Sequence, residues 1–537
     1  MIVMARAAQH LIGALNRPPF LAGLLFLLAL ALRLPYLMDV PGFTDEGIDV
    51  LVGLDALRGG WPLVDAEPYI GALFNYMLAA SFLLLGQESH VPRLTVTVLG
   101  ALTVVLTYGL ALRLAGPTAA LLAAGLMATS GVHIVNGHIA WSNCTTPFFT
   151  TAATLALVEA VARGSGRLLV LAGALYGLAL QSHASVMLLG PVLLLHLLTG
   201  RDAATGRSGV LVRTRWVPLA ALAALLACSN LIAFNLLNPG AWESATRGRA
   251  YAYVANPTPE TYLHNLEGFA TSLLRMAASS FVGGPSFGAQ ALEPANLPYL
   301  LLMLCGAIYA AGRQQWLALA AIVSTMLLMP YVNKYYQFPI GLRYLGYLLP
   351  FLYLIMALPV ARAVEAMRQR TRRGAAVLAT ACLVLVVLPV PRLFSYYEEY
   401  LALGATNPTI LALHAEVGQQ YRSGRIAEVL LDPQLDGVFT APGGRGLRVF
   451  EYLFTVNGVP HRTVWMSPEE LERATAGSGR PVGLIVSAGS RERLGGSFDL
   501  VPLDVSDRPY LHRDGYWGYT MLVGMPEERL DLAEDVP

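Results

Sequence analysis

The chain has 537 residues, of which 55% are apolar and only 13% charged, and its net charge is +1. A soluble protein carries about 25% charged residues, so a single soluble globule is excluded, and the near-neutral balance gives no ground for a nucleic-acid partner. Four scattered cysteines (Cys144, Cys228, Cys305, Cys382), three of them inside apolar runs, provide neither a disulfide framework nor a metal-spaced cluster.

Apolar runs of roughly 17 to 25 residues recur from Phe20 to about Pro391, each long enough to cross a hydrocarbon core. The first, 20–38, lacks a small-residue cleavage site and reads as a retained span rather than a removable signal. Further spans are expected at 92–112, 117–135, 145–162, 168–184, 186–200, 216–237, 298–312, 316–331, 342–361 and 374–391. The stretch Gly71–Gly86 is short for a span and contains Asn75 and Ser81, so it reads as an interfacial helix.

Loop charge sets the orientation. With Gly71–Gly86 in the interface, Arg113, Arg163, Arg167, Arg201, Arg207, Arg213, Arg215, Arg313 and the Arg362–Arg373 cluster all fall on one side, which is cytoplasmic. The N-terminus, with Arg6 and Arg17, joins that side. The outer side then holds loop 39–91, the segment around 135–145, the turn at His183, loop 238–297, the segment 332–341 and everything after the last span.

From about Ser395 the texture changes to interspersed charges, Gly, Pro and short apolar stretches. Strands are expected at Ala427–Leu431, Leu447–Thr455, Val482–Val486 and Trp517–Val523, and Ser467-Pro468 opens a helix as N-cap and first residue. The predicted fold class is an all-α polytopic membrane domain of about eleven spans, residues 1–394, followed by a small α/β extracytoplasmic domain, residues 395–537.

Chemistry concentrates on the outer face. Just past the first span comes Phe43-Thr44-Asp45-Glu46-Gly47, two adjacent carboxylates near the membrane exit. They read either as a solvated polar collar or as a general base and its partner facing a substrate at the membrane surface. Asp65, Glu67 and Tyr69 follow in the same loop, then Pro92-Arg93-Leu94 opens the next span and His138-Ile139-Ala140-Trp141 lies in the second outer segment. Lys334 and Arg343-Tyr344 put basic residues on the outer side against the general bias. They read either as snorkelling anchors beside interfacial tyrosines or as cations for an anionic substrate. Arg93 has two partners open to it, a carboxylate or a phosphate. His138 and His183 are either satisfied hydrogen-bonders or substrate contacts, and Arg247, Arg249, Tyr251 and Tyr253 add further candidates in the long loop.

The ordered set, with an Asp-Glu pair after the first span, an Arg-Leu motif opening a Gly- and Tyr-containing helix, and a second outer loop, resembles the membrane glycosyltransferases that use polyprenyl-phosphate sugars (the GT-C fold). It looks most like the branch of protein O-mannosyltransferases and the lipid A aminoarabinose transferase, over roughly residues 20–200 and more loosely 330–355. The resemblance implies an inverting glycosyltransferase with a polyprenyl-phosphate-linked sugar as donor and a glycan, lipid or protein as acceptor. It implies Asp45 as general base with Glu46 as its partner, and Lys334, Arg343 and Tyr344 on the donor phosphate; by position on the same face, Arg93 joins the phosphate candidates, and Glu67, Tyr69, His138 and His183 are the substrate candidates. Glu67 lies where some relatives place a second carboxylate near donor or metal, but Glu67-Pro68-Tyr69 lacks their Pro-Pro pair, so a divalent metal is left open. The implied location is the cell membrane, with the C-terminal domain outside the cytoplasm. The alternatives are a lipid or glycan transporter, which would place ionisable residues mid-span and show repeated halves, and a non-catalytic assembly protein.

Overall fold

The computed structural model describes residues 18–43, 46–204, 206–209, 211–212, 214–241, 258–279, 294–313, 315–332, 340–402, 406–437, 446–475, 481–486, 490 and 493–494. Thr44, Asp45, Lys334, the 247–253 candidates and the strand expected at 517–523 lie outside the described residues.

Each expected span falls on a helix or a pair of helices. Helix Val91–Ala115, with Pro92 in its first turn where the missing N–H costs nothing, runs 25 residues. That is about 38 Å, more than a hydrocarbon core. Helix Thr146–Arg163 ends on Gly164 at φ 60°, a left-handed cap that a side chain would strain. Among the described residues five helices are long and apolar enough to cross a membrane, or six when the pair Trp216–Ala227 and Ser229–Leu237, bent by 61°, is taken as one. Six shorter apolar helices accompany them, among them Leu73–Leu85. Its 13 residues extend about 20 Å, too short for a direct crossing.

The membrane part has an inside and an outside. The span Arg343–Arg370 is 89% buried and forms the centre, packed on Pro117–Ala128 and Leu297–Gly312, whereas Arg372–Ala402 is only 6% buried. The exposed leucines and valines of that last helix (Val377, Leu383, Val384, Val387) suit hydrocarbon rather than water. One break in the helical core is chemically repaired. Helix Pro117–Ala128 stops and Gly131–Asn136 begins with Ser130 as N-cap. Buried Arg33 donates to the freed carbonyls of Met127 and Ala128 and to His133 Nδ1 at 2.7 Å. A guanidinium only donates, so Nδ1 accepts and a neutral His133 carries its proton on Nε2.

After the last span, helix Thr406–Arg422 leads into a three-stranded parallel sheet, β1 (Glu428–Leu431), β2 (His461–Thr463) and β3 (Val482–Ile485), in the order β2-β1-β3. Val429 pairs with His461 on one side and Gly483 on the other. Parallel neighbours need crossovers, which are helices Gly446–Val456 and Pro468–Thr475. The second begins as expected, with Glu470 N–H donating to Ser467 Oγ at 3.3 Å.

The strand expected at Leu447–Thr455 is corrected: Gly446–Val456 is a helix. Its Val, Phe and Tyr content favours extended chain locally. The buried positions Val449, Phe450, Leu453 and Val456 nevertheless recur at spacings of three and four, which only a helix turns to one side. That side packs on helix Glu46–Leu57, in the loop after the first span, 400 residues earlier. An added Cβ on Gly47 would lie 2.8 Å from the backbone of Arg448, so glycine permits the approach. Phe43, Val50, Leu54, Phe74, Leu78 and Phe82 from the outer loop share one core with Ile410, Leu413, Phe450 and Leu453.

Candidate active site

The described half of the Asp-Glu pair is fully engaged. Glu46 and Arg93 are buried and joined by a two-pronged ion pair, Nη2 to Oε1 at 2.5 Å and Nε to Oε2 at 3.1 Å. Of the two partners open to Arg93 in the sequence, the structure gives it the carboxylate. The rest of its fork donates to the carbonyls of Leu37 (2.9 Å) and Pro41 (3.2 Å), and its plane lies 4.5 Å from the ring of Phe43. Glu46 also accepts from Ala140 N–H at 3.0 Å. One turn on, Asp49 Oδ2 accepts from Ser142 N–H at 2.9 Å. Helix Glu46–Leu57 therefore grips the second outer segment by two backbone amides, on either side of Trp141.

Trp141 carries that grip to the other group of candidates. The Arg343 guanidinium lies 4.7 Å from the Trp141 ring and 4.8 Å from that of Tyr344, and donates to Tyr344 Oη at 2.7 Å. Tyr344 meets His183 at 5.0 Å between ring centres, and His183 meets Tyr69 at 6.2 Å. Ser185 N–H donates to His183 Nδ1 at 3.1 Å, so the neutral ring carries its proton on Nε2. Tyr69, His183, Tyr344, Arg343 and Trp141 thus form one wall. A cavity under Arg343 is lined further by Asn136, Asn143, Cys144 and His133.

His138 stands apart. Its ring is buried against Tyr397 and faces the carbonyls of Val40 (2.8 Å) and Arg33 (2.6 Å). Burial, with Arg93 and Arg33 adding to it, pushes its pKa down to about 4 against the raising effect of the two carbonyls, and the ring ties loop to helix. Glu67 is half-buried beside Asp65. Among the described residues no three His, Cys, Asp or Glu side chains gather as a metal site.

Sequence reasoning missed a buried polar knot next to this wall. Asn75 Nδ2 donates to Asp65 Oδ1 at 3.0 Å and to Asp49 O at 2.9 Å, and Asp65 also bonds the Asp49 side chain. The available signal was the three-residue spacing of Glu46 and Asp49, which puts both on one helix face. Burial raises the Asp65 pKa above its ordinary 3.8, against the lowering effect of those hydrogen bonds. The folded protein therefore holds this proton more tightly than the unfolded chain, and Asp65 contributes less stability as pH rises from about 4 towards neutrality. An amide preserves both contacts without the charge. The thermal midpoint of Asp65→Asn at pH 7 should equal or exceed that of the wild type, and the gap should close in acid; midpoints followed against pH for both proteins check this.

Comparison with known proteins fits this geometry. Residues 70–234 match the family model described as dolichyl-phosphate-mannose-protein mannosyltransferase. The fold matches that of ArnT from Cupriavidus metallidurans bound to undecaprenyl phosphate, with a TM-score of 0.58 and 13% identity over 94% of this chain and 98% of that one. It matches the apo state of the same protein at 0.57 and 12%, over 94% and 97%. None of the curated proteins matches the sequence. The resemblance to polyprenyl-phosphate-dependent membrane glycosyltransferases is borne out, and the chain's own long apolar helices make it a membrane protein. The matched stretch starts after Asp45 and ends before Arg343.

Proposed function

We propose that this protein is an inverting glycosyltransferase that moves a sugar from a polyprenyl-phosphate donor to an acceptor at the outer face of the membrane. The observation that carries this reading is that the Arg343 cation lies against Trp141 and Tyr344, and that Tyr344 continues through His183 to Tyr69, rings from four separate parts of the chain. A phosphate leaving group needs positive charge where its own negative charge develops, and aromatic rings offer faces on which a sugar can stack. Asp45 immediately precedes Glu46, whose carboxylate is tied to the backbone beside Trp141. In the proposed step Asp45 takes the proton of the acceptor hydroxyl, whose oxygen forms the new bond to the anomeric carbon from the face opposite the phosphate. The phosphate leaves with the electrons of the broken C–O bond, held by Arg343 and Lys334. His183 and Tyr69 border the substrate, with Glu67 in the adjoining loop.

The break between Ala128 and Gly131 is the feature a transporter would share, but Arg33 caps its free carbonyls instead of leaving them to line a path. The test is purified protein in vesicles with a panel of undecaprenyl-phosphate sugars. Sugar transfer by the wild type is expected, and lipid translocation without transfer overturns the proposal. In the same assay Arg343→Ala should raise the donor KM by about tenfold to a hundredfold, as expected for removing a charged partner of a phosphate. Saturation curves for the two proteins check this.

A further inference from the structure

The loop that leads into Asp45 is held from the far end of the chain. Residues 37–43 form no regular element, so their inward-facing backbone groups need partners from elsewhere. Two side chains supply most of them. Arg93 takes the carbonyls of Leu37 and Pro41 from one side. From the other, fully buried Asn407 does three things at once: its Oδ1 accepts from Phe43 N–H at 2.7 Å, and its Nδ2 donates to Met38 O at 2.8 Å and Pro41 O at 2.9 Å. Tyr400 Oη accepts from the next amide, Gly42 N–H, at 3.0 Å. Around this clamp Phe43 packs edge-on against Tyr452, and Tyr452 Oη donates to Ser89 O at 2.5 Å.

We infer that Asn407 is a positioning residue for the transfer reaction, and that the region after the last span is part of the catalytic unit, through its grip on loop 37–43. The inference rests on the proposed role of Asp45. Phe43 is the last residue described before that carboxylate, and the amide of Phe43 is the group Asn407 holds. An asparagine suits the task because it alone combines one acceptor with two donors in a plane of this size, without charge. Neither Asn407 nor Tyr400 takes part in the wall around Arg343, so their loss leaves the donor's own contacts in place. A base displaced by about 1 Å loses rate while substrate affinity stays.

The test uses the full-length protein and two independent readouts. In Asn407→Ala, kcat per lipid-binding site, counted by undecaprenyl phosphate binding, should fall by about a hundredfold with donor KM unchanged. In the same variant, hydrogen exchange at the amide of Phe43 should quicken by about tenfold, the loss of one hydrogen bond. Tyr400→Phe, which leaves the buried amide network intact, should quicken exchange at Gly42 alone and provides the reading should Asn407→Ala fold poorly. Unchanged exchange in both variants overturns the clamp, and faster exchange with kcat within threefold of wild type overturns its role in positioning. Should the wild type transfer no sugar from any donor, the functional reading falls and the positioning role falls with it, while exchange still decides whether the clamp exists.

Discussion

Arg93→Met is expected to be the most damaging single change for the folded protein. Arg93 and Glu46 are both buried, with side-chain exposures of 1% and 2%. Removing the cation leaves a carboxylate in the interior with only the Ala140 amide, among the described residues, to satisfy it. Breaking one side of such a pair costs about 3–5 kcal/mol, most of it from the stranded partner and not from the lost attraction. The variant also removes the bond to the Leu37 carbonyl and leaves that of Pro41 to Asn407 alone. A drop of roughly 3–5 °C in the thermal midpoint follows for a chain of this length, read by intrinsic fluorescence of detergent-purified protein. The diagnostic is the double variant: Arg93→Met with Glu46→Gln removes the stranded charge and keeps an acceptor for Ala140, so it should be more stable than Arg93→Met alone. A double variant no better than the single one would show that the guanidinium works through the loop carbonyls instead.

Asp45→Asn is expected to have the largest effect on activity. A positioned general base contributes about 10²–10⁴-fold to rate, and the amide keeps the size of the side chain while removing its basicity. Transfer should fall within that range, while undecaprenyl phosphate binding and the thermal midpoint stay at wild-type values because the Arg93–Glu46 pair is untouched. Single-turnover transfer from a bound donor measures it. Retention of more than a tenth of wild-type rate would remove Asp45 from the mechanism.

How far these residues were legible beforehand depends on the physics that placed them. Spans follow from hydrophobic length alone, which the bilayer enforces on every crossing segment, and all the expected positions carry helices. Loop charge put Tyr69, His183, Arg343 and Tyr344 on one face, and the structure joins them in one wall. What composition does not encode is pairing across large separations in sequence. Nothing about Asn407 distinguishes it from any other asparagine until Phe43 and Met38 are beside it. Arg33 lies inside the expected first span, where nothing marks it out, yet it caps the end of a helix about 95 residues away. Leu447–Thr455 looked extended because its residues favour strands locally, and the face turned to Gly47 decided otherwise.

The clamp also orders events in the making of this protein. Phe43 and Asn407 are 364 residues apart. At a synthesis rate of 5–20 residues per second, roughly 20–70 s separate their emergence from the ribosome. Through that interval the first loop is already outside the first span, its carbonyls served by water and then by Arg93, with no partner yet made for the amide of Phe43. Every residue of the wall, up to Tyr344, is thus synthesised before Asn407, and the loop that leads into the proposed base is fixed only when the last part of the chain folds back onto the first.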